Sequence, residues 1–220
     1  MMPARPHSPA PFPVGRWIRA AMLCGVVCLA ACANRPSPTL LSLPLAAAPS
    51  APFEPAGAAP PLAPAEPAVL VVRRVALPEY LLSRRVRYRA DASTLADWPD
   101  TVWAERIEVA ASRELLTSLR VALPGWTVCE PGCAGSPPGA RVVSLRIELI
   151  SMDFVRDAGW LQSRALLTLE SAGQPPRQMG FDRDIAASAD TPQAHAQAIA
   201  ELLQGLAGKA SAEVRALPTR

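Results

Sequence analysis

The chain has 220 residues, half of them hydrophobic but only 5% aromatic, so a core must be built mainly from aliphatic side chains and alanine. Its formal charge of +3 comes from Arg5, Arg16 and Arg19 near the N-terminus, because beyond Cys32 the remaining 22 − 3 = 19 Lys and Arg face 19 Asp and Glu. A charge-balanced domain lacks the basic excess of a nucleic-acid binder, which argues against a nucleic-acid partner.

Arg16 and Arg19 precede an apolar run, Ala20 to Leu29. Charge followed by about ten apolar residues is the layout of an export signal. Such a run falls short of the roughly 20 residues that cross a bilayer. The alternative is an uncleaved membrane anchor. What favours cleavage is the next stretch, Leu29-Ala30-Ala31-Cys32, which resembles a bacterial lipobox. Small residues at Ala30 and Ala31 enter a narrow protease site, and the thiol of Cys32 accepts a diacylglyceryl group. Residues 1–31 are therefore expected to leave as a signal peptide, with cleavage between Ala31 and Cys32. The anchor is then the covalent lipid on Cys32, and no other cofactor is implied. One acyl chain holds only marginally, at about 0.8 kcal/mol per buried methylene, whereas several on one residue hold firmly. By resemblance to Gram-negative lipoproteins, Ala33 rather than Asp after the cysteine implies sorting to the outer membrane, with the domain facing the periplasm.

Residues 32–67 read as a tether. Ten of the chain's 25 prolines fall between Ala33 and Pro67, a density that blocks helix and sheet and favours polyproline II. At about 3.1 Å per residue such a tether reaches on the order of 100 Å. One apolar patch, Thr39 to Leu43, has the alternative of docking as an edge strand.

Residues 68–220 read as one domain of ordinary size. Ala68 to Val75 is rich in β-branched residues and predicts a strand that ends at Leu77-Pro78. Arg84 to Ala90 predicts a second, with Val86 and Tyr88 on one face and Arg85, Arg87 and Arg89 on the other. Pro99-Asp100-Thr101 predicts a helix start, with Asp100 or Thr101 as cap. Trp103, Ile107, Ala111, Leu115 and Leu119 give it an apolar stripe, and Pro124-Gly125 stops it. Three alternating strands follow, at Arg141 to Ser151, Trp160 to Glu170 and Gln178 to Ile185. Turns around Asp157-Ala158-Gly159 and Gly173 to Pro176 join them as hairpins. A final helix starts at Thr191-Pro192, a cap followed by proline at the first helical position. The expected fold is α+β: a mostly antiparallel sheet with two helices packed on one face.

Of five cysteines, Cys24 and Cys28 leave with the signal and Cys32 is blocked by lipid. Cys129 and Cys133 remain in an exported domain, where disulfides persist. Glu130-Pro131-Gly132 between them suits a tight turn, so a local disulfide Cys129–Cys133 is expected. Its small ring contributes about 2 kcal/mol in the chain-entropy picture. The alternatives are two free thiols or a redox pair, although the spacing is C-x-x-x-C rather than C-x-x-C. A metal site is disfavoured because His195 is the one histidine beyond the signal peptide.

Val72-Arg73-Arg74-Val75-Ala76-Leu77-Pro78-Glu79-Tyr80-Leu81, then Val86-Arg87-Tyr88-Arg89 and Trp103-Ala104-Glu105, resemble the ABC-transport auxiliary lipoproteins of the PqiC type. The resemblance covers most of the chain after Ala68, plus the lipobox. It departs at Thr39-Leu40-Leu41, where such lipoproteins carry an aromatic, and in the long tether and the Cys129–Cys133 pair. The resemblance implies partners: an MCE-domain periplasmic protein and its inner-membrane ABC transporter, which move phospholipids or other hydrophobic molecules between membranes. The lipoprotein would dock that assembly at the outer membrane. A homo-oligomer and direct phospholipid contact are both compatible with this role. The alternative is a scaffolding lipoprotein of another envelope assembly.

Candidate contact residues are few. Arg85, Arg87 and Arg89 either bind lipid phosphates or an acidic partner, or form a solvated face balanced by Asp91, Asp97 and Asp100. Trp98 and Trp103 form a partner patch or pack the core, with packing favoured for Trp103. Trp160 falls opposite the apolar face of its strand and is the better interface candidate. No catalytic residues are assigned: there is no G-x-S-x-G motif, phosphate loop or metal-spaced cluster, and His195 is expected to pack or face solvent. The chain is therefore expected not to be an enzyme.

Overall fold

A computed structural model describes residues 37–44, 67–133 and 138–218, and all but Ser37 of these lie in one compact unit, Pro38–Arg220. The strands are β1 (Thr39–Leu41), β2 (Ala68–Val72), β3 (Arg85–Arg89), β4 (Leu95–Trp103), β5 (Trp126–Cys129), β6 (Arg141–Val155), β7 (Trp160–Ser171) and β8 (Arg177–Ala186). The helices are α1 (Ile107–Ala122) and α2 (Pro192–Arg215), with a 3-10 turn at Glu79–Leu81.

The fold is α+β, one eight-stranded sheet with both helices on one face. The long pairings, β6 with β7 and β7 with β8, are antiparallel, as is β3 with β4. Short parallel ladders fill the other side of β6. Its first five residues pair with β2, which pairs with β5, and its last residue, Val155, pairs with Arg89 of β3. Thus β6 spans the sheet from end to end, with β2 and β5 beside its lower half and β3, β4 and β1 beside its upper half.

Alternation explains most of β6. Val143, Leu145, Ile147 and Leu149 are buried against the helices, while Arg146 and Glu148 face out. A bulge between Leu149 and Ser151 then shifts the phase. Beyond it Met152 and Phe154, now at even positions, are the buried ones, and Ile150 is left 53% exposed. The strand therefore runs to Val155 rather than ending at Ser151.

The helix expected to start at Pro99 begins at Ile107 instead, and Leu95 to Trp103 is a strand. Asp100 has φ 47°, the left-handed region that Asp tolerates better than most residues. Opposite it, Arg85 pairs with Val102 and Arg87 with Asp97, so the extra residues of β4 loop out between them. Neither Asp100 nor Thr101 caps a helix, and the N-cap residue, Arg106, makes no side-chain cap bond. Ile107, Ala111, Leu115 and Leu119 are the buried stripe of α1, while Trp103 joins the core from the end of β4. The last helix starts as expected: Thr191 Oγ1 accepts the Ala194 amide at 3.1 Å and Pro192 follows. Ile199, Leu202, Leu203, Leu206 and Ala210 of α2 are buried.

The patch Thr39 to Leu43 docks as the edge strand β1, parallel to β4, with Thr39 opposite Thr101 and Leu41 opposite Trp103. Leu41 and Leu43 enter the core. This strand lies inside the stretch read as a tether. The signal peptide, Ala31, Cys32 and residues 45–66 lie outside the described residues.

Candidate functional site

The arginines of β3 are drawn into ion pairs. Arg85 lies 3.6 Å and Arg87 3.2 Å from the Asp97 carboxylate on β4. Arg87 also donates to the Tyr80 carbonyl at 2.6 Å. Arg89 pairs with Asp153 at 3.1 Å, and Tyr80 donates its hydroxyl to the same carboxylate at 3.0 Å. Burial, then the Asp153 charge beside it, pushes the Tyr80 phenol above its ordinary value. The balancing acids are therefore Asp97 and Asp153. Asp91 instead folds its own turn, accepting the Ser93 and Thr94 amides at 2.8 Å each, and those bonds hold its carboxyl below the usual range. Three arginines against the carboxylates of Asp97 and Asp153 leave one positive charge, centred on the exposed Arg85 that shares Asp97 with Arg87, so little is offered to a phosphate.

Next to this face runs a ladder of rings. Tyr88 and Trp98 lie 5.1 Å apart, Trp98 and Phe154 6.2 Å, Phe154 and His195 4.7 Å in a stack, and Trp103 meets His195 edge-on at 6.2 Å. Arg156 covers the outer end, 4.8 Å from the Tyr88 ring and 4.5 Å from that of Trp98. It donates to both Asp190 carboxylate oxygens at 2.9 Å and to the Tyr88 hydroxyl at 3.0 Å. Trp98 and Trp103 are both buried and serve as core, not as a surface patch. His195 is 4% exposed and its Nδ1 has no partner. Burial drives its pKa from 6.5 down to about 3, so the imidazole is neutral near pH 7. The void it borders with Arg87, Met152 and Ile199 is only about 10 Å³, room for at most a water. Among the described residues no group of three His, Cys, Asp or Glu could hold a metal.

Trp160 is 40% exposed at the start of β7, on the face away from the helices. It shares a row of the sheet with Arg89 through Val155, two strands away across β6, but among the described residues no contact joins it to Arg85, Arg87 or Arg89, which are held by Asp97 and Asp153. At the opposite end of the sheet, Cys129 and Cys133 have their sulfurs within bonding distance and their Cα atoms 6.1 Å apart. Two shallow grooves adjoin at that end. One, of about 370 Å³, is lined by Leu169, Pro175, Pro176 and Leu217, and the other, of about 260 Å³, by Arg141, Val142 and Ala172. Neither the ring ladder nor the grooves leave a local signal in the sequence. Aromatics separated by scores of residues reveal nothing until the sheet stacks them. No helix among the described residues is long and apolar enough to cross a membrane.

Two solved structures share the fold. One, a crystal structure of an uncharacterized protein, is 19% identical with TM-score 0.62, and the match covers 81% of this chain and 99% of that one. The other, from Xanthomonas campestris, is 12% identical with TM-score 0.50, over 81% of this chain and 96% of that one. No curated protein matches the sequence. The family model for the ABC-type transport auxiliary lipoprotein component matches residues 52–210, the whole sheet beyond β1 and most of α2. On that match, the chain belongs to the ABC-type transport auxiliary lipoprotein family.

Proposed function

We propose that this chain is the outer-membrane-anchored, periplasmic auxiliary subunit of an MCE-type ABC system that moves lipid between the two membranes. Family membership over residues 52–210 carries the reading, together with the lipobox at Leu29 to Cys32. In it, Cys32 bears the acyl chains, Cys129 and Cys133 are bridged, and the domain catalyses nothing. Its task is to dock the MCE assembly against the outer membrane.

The filled interior favours docking over carrying. Phe154, Leu161, Leu167 and Ile199 are each at most 1% exposed, and the void beside His195 is far smaller than an acyl chain. The arginines that would hold a phosphate are engaged with Asp97 and Asp153. Crosslinking in intact envelopes followed by pull-down of the tagged chain tests the role. Recovery of an MCE-domain protein with its permease is expected; recovery of an unrelated assembly without either ends the transporter reading. The anchor has its own test. Cys32→Ser is expected to lose the acyl mass and leave the membrane fraction.

A further inference from the structure

We propose that the end of the sheet formed by Leu95, Arg89, Val155 and Trp160 faces the lipid bilayer, held there by a leash of only seven residue steps, Cys32 to Thr39. The inference rests on acylation of Cys32, the anchor of the function proposed above.

These four residues form one row across the sheet: Leu95 pairs with Arg89, Arg89 with Val155, and Val155 with Trp160. They share that end with the β3–β4 turn and with the β6–β7 turn around Asp157 to Gly159. Strand β4 runs away from the row, from Leu95 to Trp103, and β1 runs parallel to it. The chain therefore comes into β1 from the side of the row, with Pro38 exposed ahead of Thr39. Seven steps of a fully extended chain span at most about 25 Å. Because Leu41 and Leu43 are buried, β1 is secured in the core, and nothing beyond Thr39 can lengthen the leash while it stays docked. Residues 45–66 then connect β1 to β2 and add nothing to the distance from the membrane. The stand-off of about 100 Å that a free tether would allow is replaced by close apposition.

The exposed side chains fit such a neighbour. Trp160 is 40% exposed in the row itself, and tryptophan sits well at the level of lipid headgroups. Leu40, next to the leash, is 65% exposed. The charges at this end do not make a cationic patch. Arg89 is paired with Asp153 and Arg156 with Asp190, while Asp91 and Asp157 occupy the turns. Apposition is thus imposed by the leash and Trp160, not by attraction to anionic lipid. The opposite end, with Cys129, Cys133 and the two grooves, is left for the periplasmic partner.

The experiment uses the full acylated chain in vesicles of phosphatidylethanolamine and phosphatidylglycerol containing a headgroup nitroxide. A fluorescent amino acid is encoded at Ala158, in the β6–β7 turn, or at Pro175, in the β7–β8 loop. The probe at 158 is expected to lose most of its emission and the probe at 175 to keep it. Equal quenching, or quenching at 175 alone, would overturn the proposal while acyl mass on Cys32 keeps the anchor standing. Absence of that mass sinks both. A flexible insert of about 12 Gly and Ser residues after Asn34 should restore emission at 158, and the same insert after Ala56 should not. The reverse pattern would return the leash to the longer tether.

Discussion

Acidification should weaken the fold through His195 before it touches the carboxylates. In the folded chain burial holds this imidazole at about 3, against 6.5 when it is free. The group is a base whose folded pKa is lowered, so the stability it lends is complete above pH 6.5 and is lost as pH falls towards 3. From pH 7 to pH 5 the unfolded chain gains a proton that the folded chain refuses, which costs about 2 kcal/mol. Continued to pH 3 the loss reaches about 4 kcal/mol. The assay is urea unfolding at pH 7, 6 and 5 for the wild-type chain and for His195→Leu. The one other histidine in the sequence, His7, lies near the N-terminus far from this site in sequence, and the carboxylates held low by their partners, Asp91, Glu105 and Glu213, titrate below this window. The wild type should lose about 2 kcal/mol more than the variant across it. Parallel pH dependences would mean that the imidazole is solvated in the folded state, and the buried stack on Phe154 would be refuted.

Thr191→Ala removes the cap on the Ala194 amide and should cost about 1 kcal/mol in urea unfolding; no change would show that the first turn of α2 is held by packing alone. A Cβ at Gly208 meets nothing within 4 Å, so Gly208→Ala should raise the thermal midpoint by the helix-propensity gain of up to about 1 kcal/mol. At Gly205 the same Cβ would stand 2.8 Å from Arg183 Nη1 and 3.3 Å from Phe181 Cζ, so Gly205→Ala should gain less. Equal gains would contradict the packing of β8 under α2. The double variant Cys129→Ser, Cys133→Ser should lose about 2 kcal/mol, and mass spectrometry without reductant should find no alkylatable thiol at either position in the wild type.

What could be read from the residues was whatever repeats at short range. Ala68 to Val72 is β-branched, Val143 to Leu149 alternate, Ile107 to Leu119 recur every four, and Thr191-Pro192 starts a helix in any context, so five strands, two helices and their layering were legible. Long-range competition hid the rest. Pro99-Asp100-Thr101 has the chemistry of a helix start, but Trp98 and Trp103 gain more by entering the core from a bulged strand. Ile150 breaks the alternation of β6, so that strand looked shorter than it is. Trp126 to Cys129 is too brief to show a period, and only the parallel ladder with β2 makes it a strand. The arginines of β3 were recognisable as a charged face, yet their partner Asp153 lies 64 positions from Arg89, a separation no local pattern spans.

The bulge at Ile150 has a consequence for how this strand can change in length. In a regular strand, deleting one residue sends every later side chain to the opposite face. Leu149 and Ser151 are partnered by the adjacent residues Ala165 and Arg164, with Ile150 unmatched between them. Removing Ile150 would therefore leave Leu149, Met152 and Phe154 all facing the helices, in unbroken alternation. Nearly everywhere else along the 15 residues of β6, insertions and deletions must come in pairs to keep the interior dry. At this one point the molecule can shed a single residue and retain both of its faces.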